Sequence, residues 1–381
     1  MIPFNKPYLT GKEMHYIYDA VQSGKISGNG KYTKKCQEFF EKRYGFGKCL
    51  LTSSCTDALE MAAILMNISP GDEIILPSYT FVSTANAFEL RGASLIFCDS
   101  RNDHPGIDED LIESLITTKT KAIVVVHYAG VSCDMDKVIR IANKYGLLVV
   151  EDAAQAIDSY YYSADRNMQV ALGSIGQFAT FSFHETKNII SGEGGMLVVN
   201  DFNFYERAEV IWEKGTNRSA FFKGEVNKYG WVDIGSSFLP SEVTAAFLWA
   251  QLEHLEIIQN KRILLWERYN ALLSPVNNNF KKPVIPSFSS NNAHIFYLIL
   301  QNEMVRDSLI DFLKAYGILS VFHYISLERS DFFSKKYSGD KLINSLYYSN
   351  CLFRLPLYFE LENEQVEYIT DKIYEFFNKL Q

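Results

Sequence analysis

The sequence predicts an α/β protein, with a mostly parallel central sheet in a large N-terminal domain and a smaller α+β domain at the C-terminal end. Three observations carry this. The chain has 381 residues, more than the roughly 250 to 300 at which a single core stops growing. Between residues 48 and 199, short apolar runs alternate with helical periodicity, the pattern of strands covered on both faces by crossover helices. After residue 273, a loop rich in Pro, Ser and Asn gives way to a different mix of strands and helices.

Taken in order, an apolar strand-like stretch at 49–51 leads to a helix over 57–66, strand 73–76, helix 83–91, strand 94–98 and helix 108–116. Strand 122–126, helix 135–145 and strand 147–150 follow. Strands 178–183 and 196–199 flank a glycine-rich turn at Gly192, Gly194 and Gly195. Segment 163–168 reads as a surface loop. An almost unbroken helical pattern over 242–273 links the large domain, residues 1–250, to the small one, residues 251–381. In the latter we expect strand 295–300, helix 304–316, strand 319–324 and a terminal helix over 364–380.

Apolar residues make up 47% and charged residues 22% of the chain, which places it among folded proteins and away from disorder. A net charge of -8 argues against general affinity for nucleic acid. It leaves anionic small molecules open, because helix amides and a few local cations bind them whatever the overall charge. The six cysteines form no CxxC pair, so neither a zinc site nor a disulfide framework is expected, and no metal is assigned. Cys351 reads as an inert thiol in a strand-like context. The first residues lack a basic stretch followed by an apolar one, and no run approaches the roughly 18 apolar residues of a membrane span. A cytoplasmic protein without a membrane partner is expected.

Three segments carry chemistry. Thr52-Ser53-Ser54-Cys55-Thr56-Asp57 places small hydroxyl residues at a helix start directly after a strand, where free amides and the helix dipole can seat a phosphate; a plain helix cap is the alternative. Glu151-Asp152-Ala153-Ala154-Gln155 follows an apolar strand, at the sheet edge where open α/β proteins bind ligands. A carboxylate there could pair with a protonated heteroaromatic nitrogen, ligate a metal or cap a loop. In Phe181-Ser182-Phe183-His184-Glu185-Thr186-Lys187-Asn188, a lysine follows a strand; with apolar walls its pKa falls and it can form an imine. His184-Glu185 does not extend to a zinc helix, since HExxH requires His where Asn188 stands. The glycines precede a strand instead of joining strand to helix, so they are no dinucleotide fingerprint.

Together with Gly71-Asp72-Glu73-Ile74-Ile75-Leu76-Pro77 and Thr80-Phe81-Val82-Ser83-Thr84-Ala85-Asn86, these segments resemble the fold-type I (aspartate aminotransferase-like) pyridoxal-phosphate enzymes. Within them the sequence is similar to the DegT/DnrJ/EryC1/StrS sugar aminotransferases, over nearly its whole length. The resemblance implies pyridoxal 5'-phosphate as cofactor and Lys187 as the Schiff-base lysine and proton carrier. It implies Asp152 on the pyridine nitrogen, Phe81 on the ring face with core packing as its alternative, and Gln155 beside the phenolic oxygen. Cys55, Thr56 and Ser182 would hold the phosphate. His184 is assigned no chemistry. An active site shared between the two subunits of a homodimer is also implied.

Residues 182–188, 213–219 and 228–237 look like those of bacterial enzymes that aminate C4 of dTDP-4-keto-6-deoxyglucose, for enterobacterial common antigen and related glycans. That likeness implies transfer from L-glutamate, which leaves as 2-oxoglutarate, to the dTDP-linked keto sugar in a ping-pong sequence through pyridoxamine phosphate. The product would be dTDP-4-amino-4,6-dideoxygalactose. Many relatives have Gly-x-Asn-x-Arg where this chain has Gly235-Ser236-Ser237-Phe238-Leu239, so Ser237 would either take over the Asn contact to the neighbouring subunit's phosphate with a shorter arm or leave it to water. Lys214 and Arg218 are candidates for the substrate diphosphate, with a solvated loop as the alternative. His323 and Tyr324 resemble a pair that closes over the sugar. Rival readings are a transaminase for a C3 keto sugar or for the opposite C4 configuration, and a noncatalytic sensor on the same fold, against which intact Lys187 and Asp152 speak. A dehydratase of the family would carry histidine in place of Lys187.

Overall fold

The computed structural model describes residues 1–274 and 279–380. Its main sheet has seven strands: β1 (Lys48–Thr52), β2 (Glu73–Pro77), β3 (Ser94–Cys98), β4 (Thr120–Val126), β5 (Leu148–Asp152), β8 (Phe178–Ser182) and β9 (Gly195–Val199). A separate hairpin, β6 (Tyr160–Ser163) and β7 (Met168–Ala171), lies between β5 and β8 in the chain. The order across the sheet is β1-β9-β8-β5-β4-β2-β3. Only β9 runs against the rest, antiparallel to both β1 and β8. All other strands therefore end along one edge, and the helical crossovers that join them cover both faces.

Period-two alternation divides the strand side chains between two cores. Ile75, Ile123, Val125, Val149, Phe181 and Val198 point into one, and Ile74, Leu76, Val124, Val150, Phe178 and Leu197 into the other. This is why the strands read as continuous apolar runs: neither face meets water. A third core surrounds the second sheet, β10 (Phe280–Lys281), β11 (Phe296–Leu300), β13 (Leu352–Leu355) and β12 (Val321–Phe322), in that order. Ile2 joins that core through a bridge to Ile318, so the N-terminal segment is strapped across the second sheet. No helix of the described residues is long and apolar enough to cross a membrane.

Several expectations need correction. The helix over 242–273 is two helices, Glu242–Leu252 and Leu255–Leu272, broken at Glu253 and His254. No proline or glycine marks the break. Packing imposes it: the first helix and the start of the second bury Ala245, Leu248, Leu252, Leu255 and Ile258 in a core of the main sheet, while Leu265, Trp266 and Tyr269 reach the third core. Strand 319–324 shrinks to Val321–Phe322, an edge strand paired only with β13, and His323 and Tyr324 leave the sheet. The helix expected over 108–116 is one α turn, Glu109–Ile112, continued by a tighter 3-10 turn. Cys351 ends the helix Ile343–Cys351 instead of lying in a strand, and burial pushes its thiol up to about 11. Of the expected loop 163–168, only 164–167 form the exposed turn of the β6–β7 hairpin, since Ser163, which is buried, ends β6 and Met168 begins β7. The helices Glu13–Gln22 and Lys31–Tyr44 had no counterpart in the sequence reading. Part of the Pro/Ser/Asn loop, residues 275–278, lies outside the described residues.

Candidate active site

A cavity of about 800 Å³ opens where β1, β2, β4, β5 and β8 end, roofed by residues of the second sheet. Cys55, Thr56, Phe81, Asp152, Gln155, Ser182, Lys187, His323 and Tyr324 all line it.

At one end stands the start of the helix Cys55–Leu65. Ser54 caps it, its hydroxyl accepting the Asp57 amide at 3.0 Å, while the amides of the first turn lack intrahelical acceptors and face an incoming anion. The Thr56 hydroxyl meets that of Ser83 at 2.8 Å. The glycine turn has a steric purpose here. A Cβ on Gly195 would lie 2.4 Å from the Cys55 nitrogen, so only glycine lets β9 press against the helix start.

At the end of β5, Asp152 is buried and accepts hydrogen bonds from the Thr84 hydroxyl at 2.7 Å and the Ala154 amide at 3.1 Å. Burial nevertheless outweighs these bonds and the nearby Lys187 charge, and lifts its pKa above the usual carboxylate value. Lys187 is the cation that faces it, and its charge does not offset the burial. The Thr180 hydroxyl beside it is buried without a partner. Glu151, the preceding residue, points to the other face and is saturated: Gly173, Ile175 and Gly176 amides reach it at 2.7 to 2.8 Å, and His127 Nε2 at 2.9 Å. Burial opposes its charge, yet these partners hold it below the usual range.

Lys187 lines the cavity. Desolvation lowers its pKa, partly opposed by Cys55 and Asp152 and reinforced by Arg354. Its loop is fixed by Asn188, whose amide donates to Gln259 at 2.8 Å and to the Asn292 carbonyl at 2.9 Å, and whose oxygen accepts from His294 at 2.8 Å. Gln155 is held at both ends of its amide, by the Ala129 N–H at 2.7 Å and the Tyr324 hydroxyl at 2.9 Å. Burial keeps His323 neutral and Tyr128 protonated, so the 2.5 Å bond between them runs from the phenol to Nδ1. His323 stacks on Tyr324 at 3.6 Å. Phe81 is 54% exposed, which removes its core-packing alternative. His184 sits at the rim and bonds Thr186.

Three predicted residues stand apart. Lys214, Arg218 and Ser237 are exposed and do not line the cavity. They belong to an excursion, 213–237, closed at its base by a Glu213–Ser237 bridge and carrying exposed Phe222, Tyr229 and Trp231. Gly215 is required there, since a Cβ would lie 1.9 Å from the Asp233 carbonyl oxygen. Sequence reasoning missed Thr84, Asn188, Arg354 and the strap residues Phe4 and Asn5, of which all but Asn188 line the cavity. Thr84 lay within a quoted motif; a lone charge in the apolar Leu352-Phe353-Arg354-Leu355 was the available signal for Arg354.

The DegT/DnrJ/EryC1/StrS aminotransferase family model matches residues 7–374. GDP-perosamine synthase of Escherichia coli O157:H7 is 31% identical, the alignment covering 99% of each chain. Spore coat polysaccharide biosynthesis protein SpsC of Bacillus subtilis is 29% identical over 98% of this chain and 96% of its own. Among solved structures, the PLP-form of the putative sugar aminotransferase Spr1654 from Streptococcus pneumoniae shares the fold with a TM-score of 0.90, at 24% identity and covering 100% of this chain and 99% of that one.

Proposed function

We propose, from the premise that this chain belongs to the DegT/DnrJ/EryC1/StrS aminotransferase family and is a pyridoxal-phosphate-dependent sugar aminotransferase, that it transfers an amino group from L-glutamate to C4 of dTDP-4-keto-6-deoxy-D-glucose. The product is dTDP-4-amino-4,6-dideoxy-D-galactose. The observation that carries the site assignment is the meeting, in one cavity, of a low-pKa lysine, a buried carboxylate whose charge is under-compensated, and an anion seat at a helix start.

The residues fit the cofactor. The amides at Cys55 and Thr56, with Ser182, suit its phosphate; Asp152 suits a protonated ring nitrogen, which supplies the missing charge; Phe81 stands free to cover a ring face. Bound there, pyridoxal phosphate supplies a carbonyl for the donor nitrogen and an electron-poor ring for the electrons released at the donor carbon. Lys187, with its lowered pKa, would hold that carbonyl covalently and, once released, would carry the proton that leaves the donor carbon, returning one when the keto sugar follows. Thr84 and Ala154 orient the Asp152 carboxylate, and Gln155, clamped by Ala129 and Tyr324, would offer its remaining N–H to the phenolic oxygen. Donor and acceptor use the cavity in turn, which makes the kinetics ping-pong.

A homodimer is part of this reading. The excursion 213–237 exposes Trp231 at 85% and Phe222 at 69%, more apolar surface than a free loop needs, and it carries the three predicted residues absent from their own chain's cavity. A second copy would receive Ser237, Lys214 and Arg218 at its site. We also read residues 1–250 and 251–381 as the domains that meet at the cavity.

The test is incubation of purified protein with L-glutamate and dTDP-4-keto-6-deoxyglucose, with NMR assignment of C4 in the product. An axial amine supports the reading; an equatorial amine or none defeats it. A GDP-linked 4-keto sugar is the second reading, favoured by the likeness to GDP-perosamine synthase, and competition between the two nucleotides decides between them.

A further inference from the structure

His294 stands just before β11 and lines the cavity together with Lys187. Its backbone is fixed from several sides. Its amide donates to Asn292 Oδ1 at 3.0 Å, its carbonyl accepts from the Arg262 guanidinium at 2.6 Å, and Arg262 Nε also donates to the Ala293 carbonyl at 3.1 Å. Ala293 is held in the left-handed region, at φ 52°, a strain that persists where the surroundings over-determine the backbone and that clusters at functional sites. The ring is tied as well. Asn188 gives an amide hydrogen to the Asn292 carbonyl, which can only accept, so its nitrogen stands at that end and its oxygen faces His294. His294 Nδ1 therefore carries the proton of the 2.8 Å bond to Asn188 Oδ1. Burial, with the charges of Lys187, Arg262 and Arg354, keeps the ring neutral, which leaves Nε2 a bare lone pair. Among the described residues Nε2 has no hydrogen-bond partner, and unlike the orphaned ring nitrogens of His104, His127 and His254 it is not sealed from the cavity.

An acceptor held this firmly and left open points to a donor that is not always there. The Lys187 amine lines the same cavity and, among the described residues, makes no hydrogen bond either. The two groups are complementary, one donating and the other accepting. They also share a support, since Asn188, the chain neighbour of Lys187, holds the other nitrogen of the His294 ring. Of the three cations that act on that ring, Lys187 acts most strongly. Resting on the reading of Lys187 as proton carrier, we propose that His294 is a positioning residue whose Nε2 accepts a hydrogen bond from the Lys187 amine whenever that amine is free. An amine that gives one N–H to Nε2 has its lone pair aimed away from the ring, available for a carbon-bound proton. A charged imidazole has no lone pair to offer, so the neutrality of the ring is part of the role. A hydroxyl of the keto sugar is the competing donor to Nε2, and the experiment separates the two.

The first readout is the nitrogen NMR spectrum of the full-length protein without cofactor, isotopically labelled in its histidine rings, with the His294 signals assigned by their loss in His294→Gln or His294→Leu. A proton on Nδ1 and a bare Nε2 are expected, and in Lys187→Ala the Nε2 signal should move toward that of an unbonded ring nitrogen. A proton on Nε2, or an Nε2 signal that ignores Lys187→Ala, overturns the proposal. The second readout is conversion of the cofactor-loaded protein to its amine form by L-glutamate, with and without deuterium at the α-carbon of the donor. In His294→Leu the conversion slows about 10-fold, the effect of one lost hydrogen bond, and its isotope effect grows. The return half, started by mixing keto sugar with protein loaded with pyridoxamine phosphate, slows by the same factor, while the 2-oxoglutarate dissociation constant stays within about 3-fold of wild type. His294→Gln, which keeps an oxygen acceptor, slows both halves by no more than about 3-fold. Added to Lys187→Ala, His294→Leu changes the residual rate by less than about 2-fold, because the group it positions is gone. A loss confined to the sugar half, or a full loss in the absence of Lys187, assigns Nε2 to the substrate and overturns the proposal. If the wild-type protein takes no amino group from glutamate, the parent reading fails, and the nitrogen spectra still decide whether Lys187 and His294 meet.

Discussion

The two faces of the main sheet at the end of β5 treat consecutive carboxylates in opposite ways. Glu151, on the closed face, has three amides and His127 around it and is held charged. Asp152, on the cavity face, has two donors and is pushed toward its neutral form. Depth does not distinguish them, since both side chains are buried. The difference is completeness: the closed face satisfies its charge from within the chain, while on the cavity face two donors and Lys187 leave the Asp152 charge under-compensated. Stability and chemistry are thereby assigned to neighbouring residues, and substitutions on the two faces should separate them.

The largest effect is expected on the cavity face. On the proposed function, Lys187→Ala removes both covalent link and proton carrier and should lower turnover about 10⁴-fold, with the melting temperature at or above that of wild type because a desolvated amine is lost. Asp152→Asn keeps shape but cannot hold the ring proton, and a loss of about 10²- to 10³-fold is expected in turnover. Its urea midpoint without cofactor should be unchanged or raised. A large drop in that midpoint would erase the contrast, because Asp152 would then be as structural as Glu151.

On the closed face the ordering inverts. Glu151→Gln leaves His127 and one or more amides without their acceptor and should destabilise the fold by about 3 kcal/mol, measured by urea unfolding. The cofactor-loaded protein that remains folded should retain turnover within about 10-fold. Thr84→Val tests the link between the faces and the ligand: it removes one donor from Asp152 and should slow turnover about 10-fold with little change in stability. Turnover equal to wild type would show that the Ala154 amide alone orients the carboxylate.

What the sequence disclosed follows the same division. Residues placed where an apolar strand ends, Asp152, Ser182 and Lys187, and those at the helix start after β1, were legible because strand direction brings all such ends to one edge. Arg354, Phe4 and Asn5 were not, because they reach the cavity through the second sheet and the N-terminal strap, contacts between segments some 350 residues apart in the case of Phe4 and Arg354. The break at Glu253 and His254 was hidden for a related reason: every residue there suits a helix, and two cores pull the segment in different directions. Ser237, Lys214 and Arg218 were legible as motif but not as geometry, since the cavity does not contain them.

The smallest effect is the most direct test of the two-face contrast, and it is read in the protein without cofactor as a slope against pH. Glu151 has a folded pKa below its unfolded value. Its stabilisation is full above the unfolded value, about 4.3, and is lost as pH falls through the folded one. Asp152 has a folded pKa above its unfolded value; its contribution is full below about 3.9 and is lost as pH rises through the folded pKa. Wild type should therefore gain on Glu151→Gln, and lose to Asp152→Asn, as pH rises through the acid range, each by no more than about 1.4 kcal/mol per pH unit. Urea midpoints of the three proteins give both slopes, that of Glu151 below about pH 4.3 and that of Asp152 above about pH 3.9. Cofactor should then reverse one of them only: pairing with the protonated ring nitrogen pulls the Asp152 pKa down, so its slope takes the sign of Glu151, while Glu151 keeps its own. Slopes of equal sign without cofactor, or a cofactor effect on Glu151→Gln, would mean that the two faces are not independent.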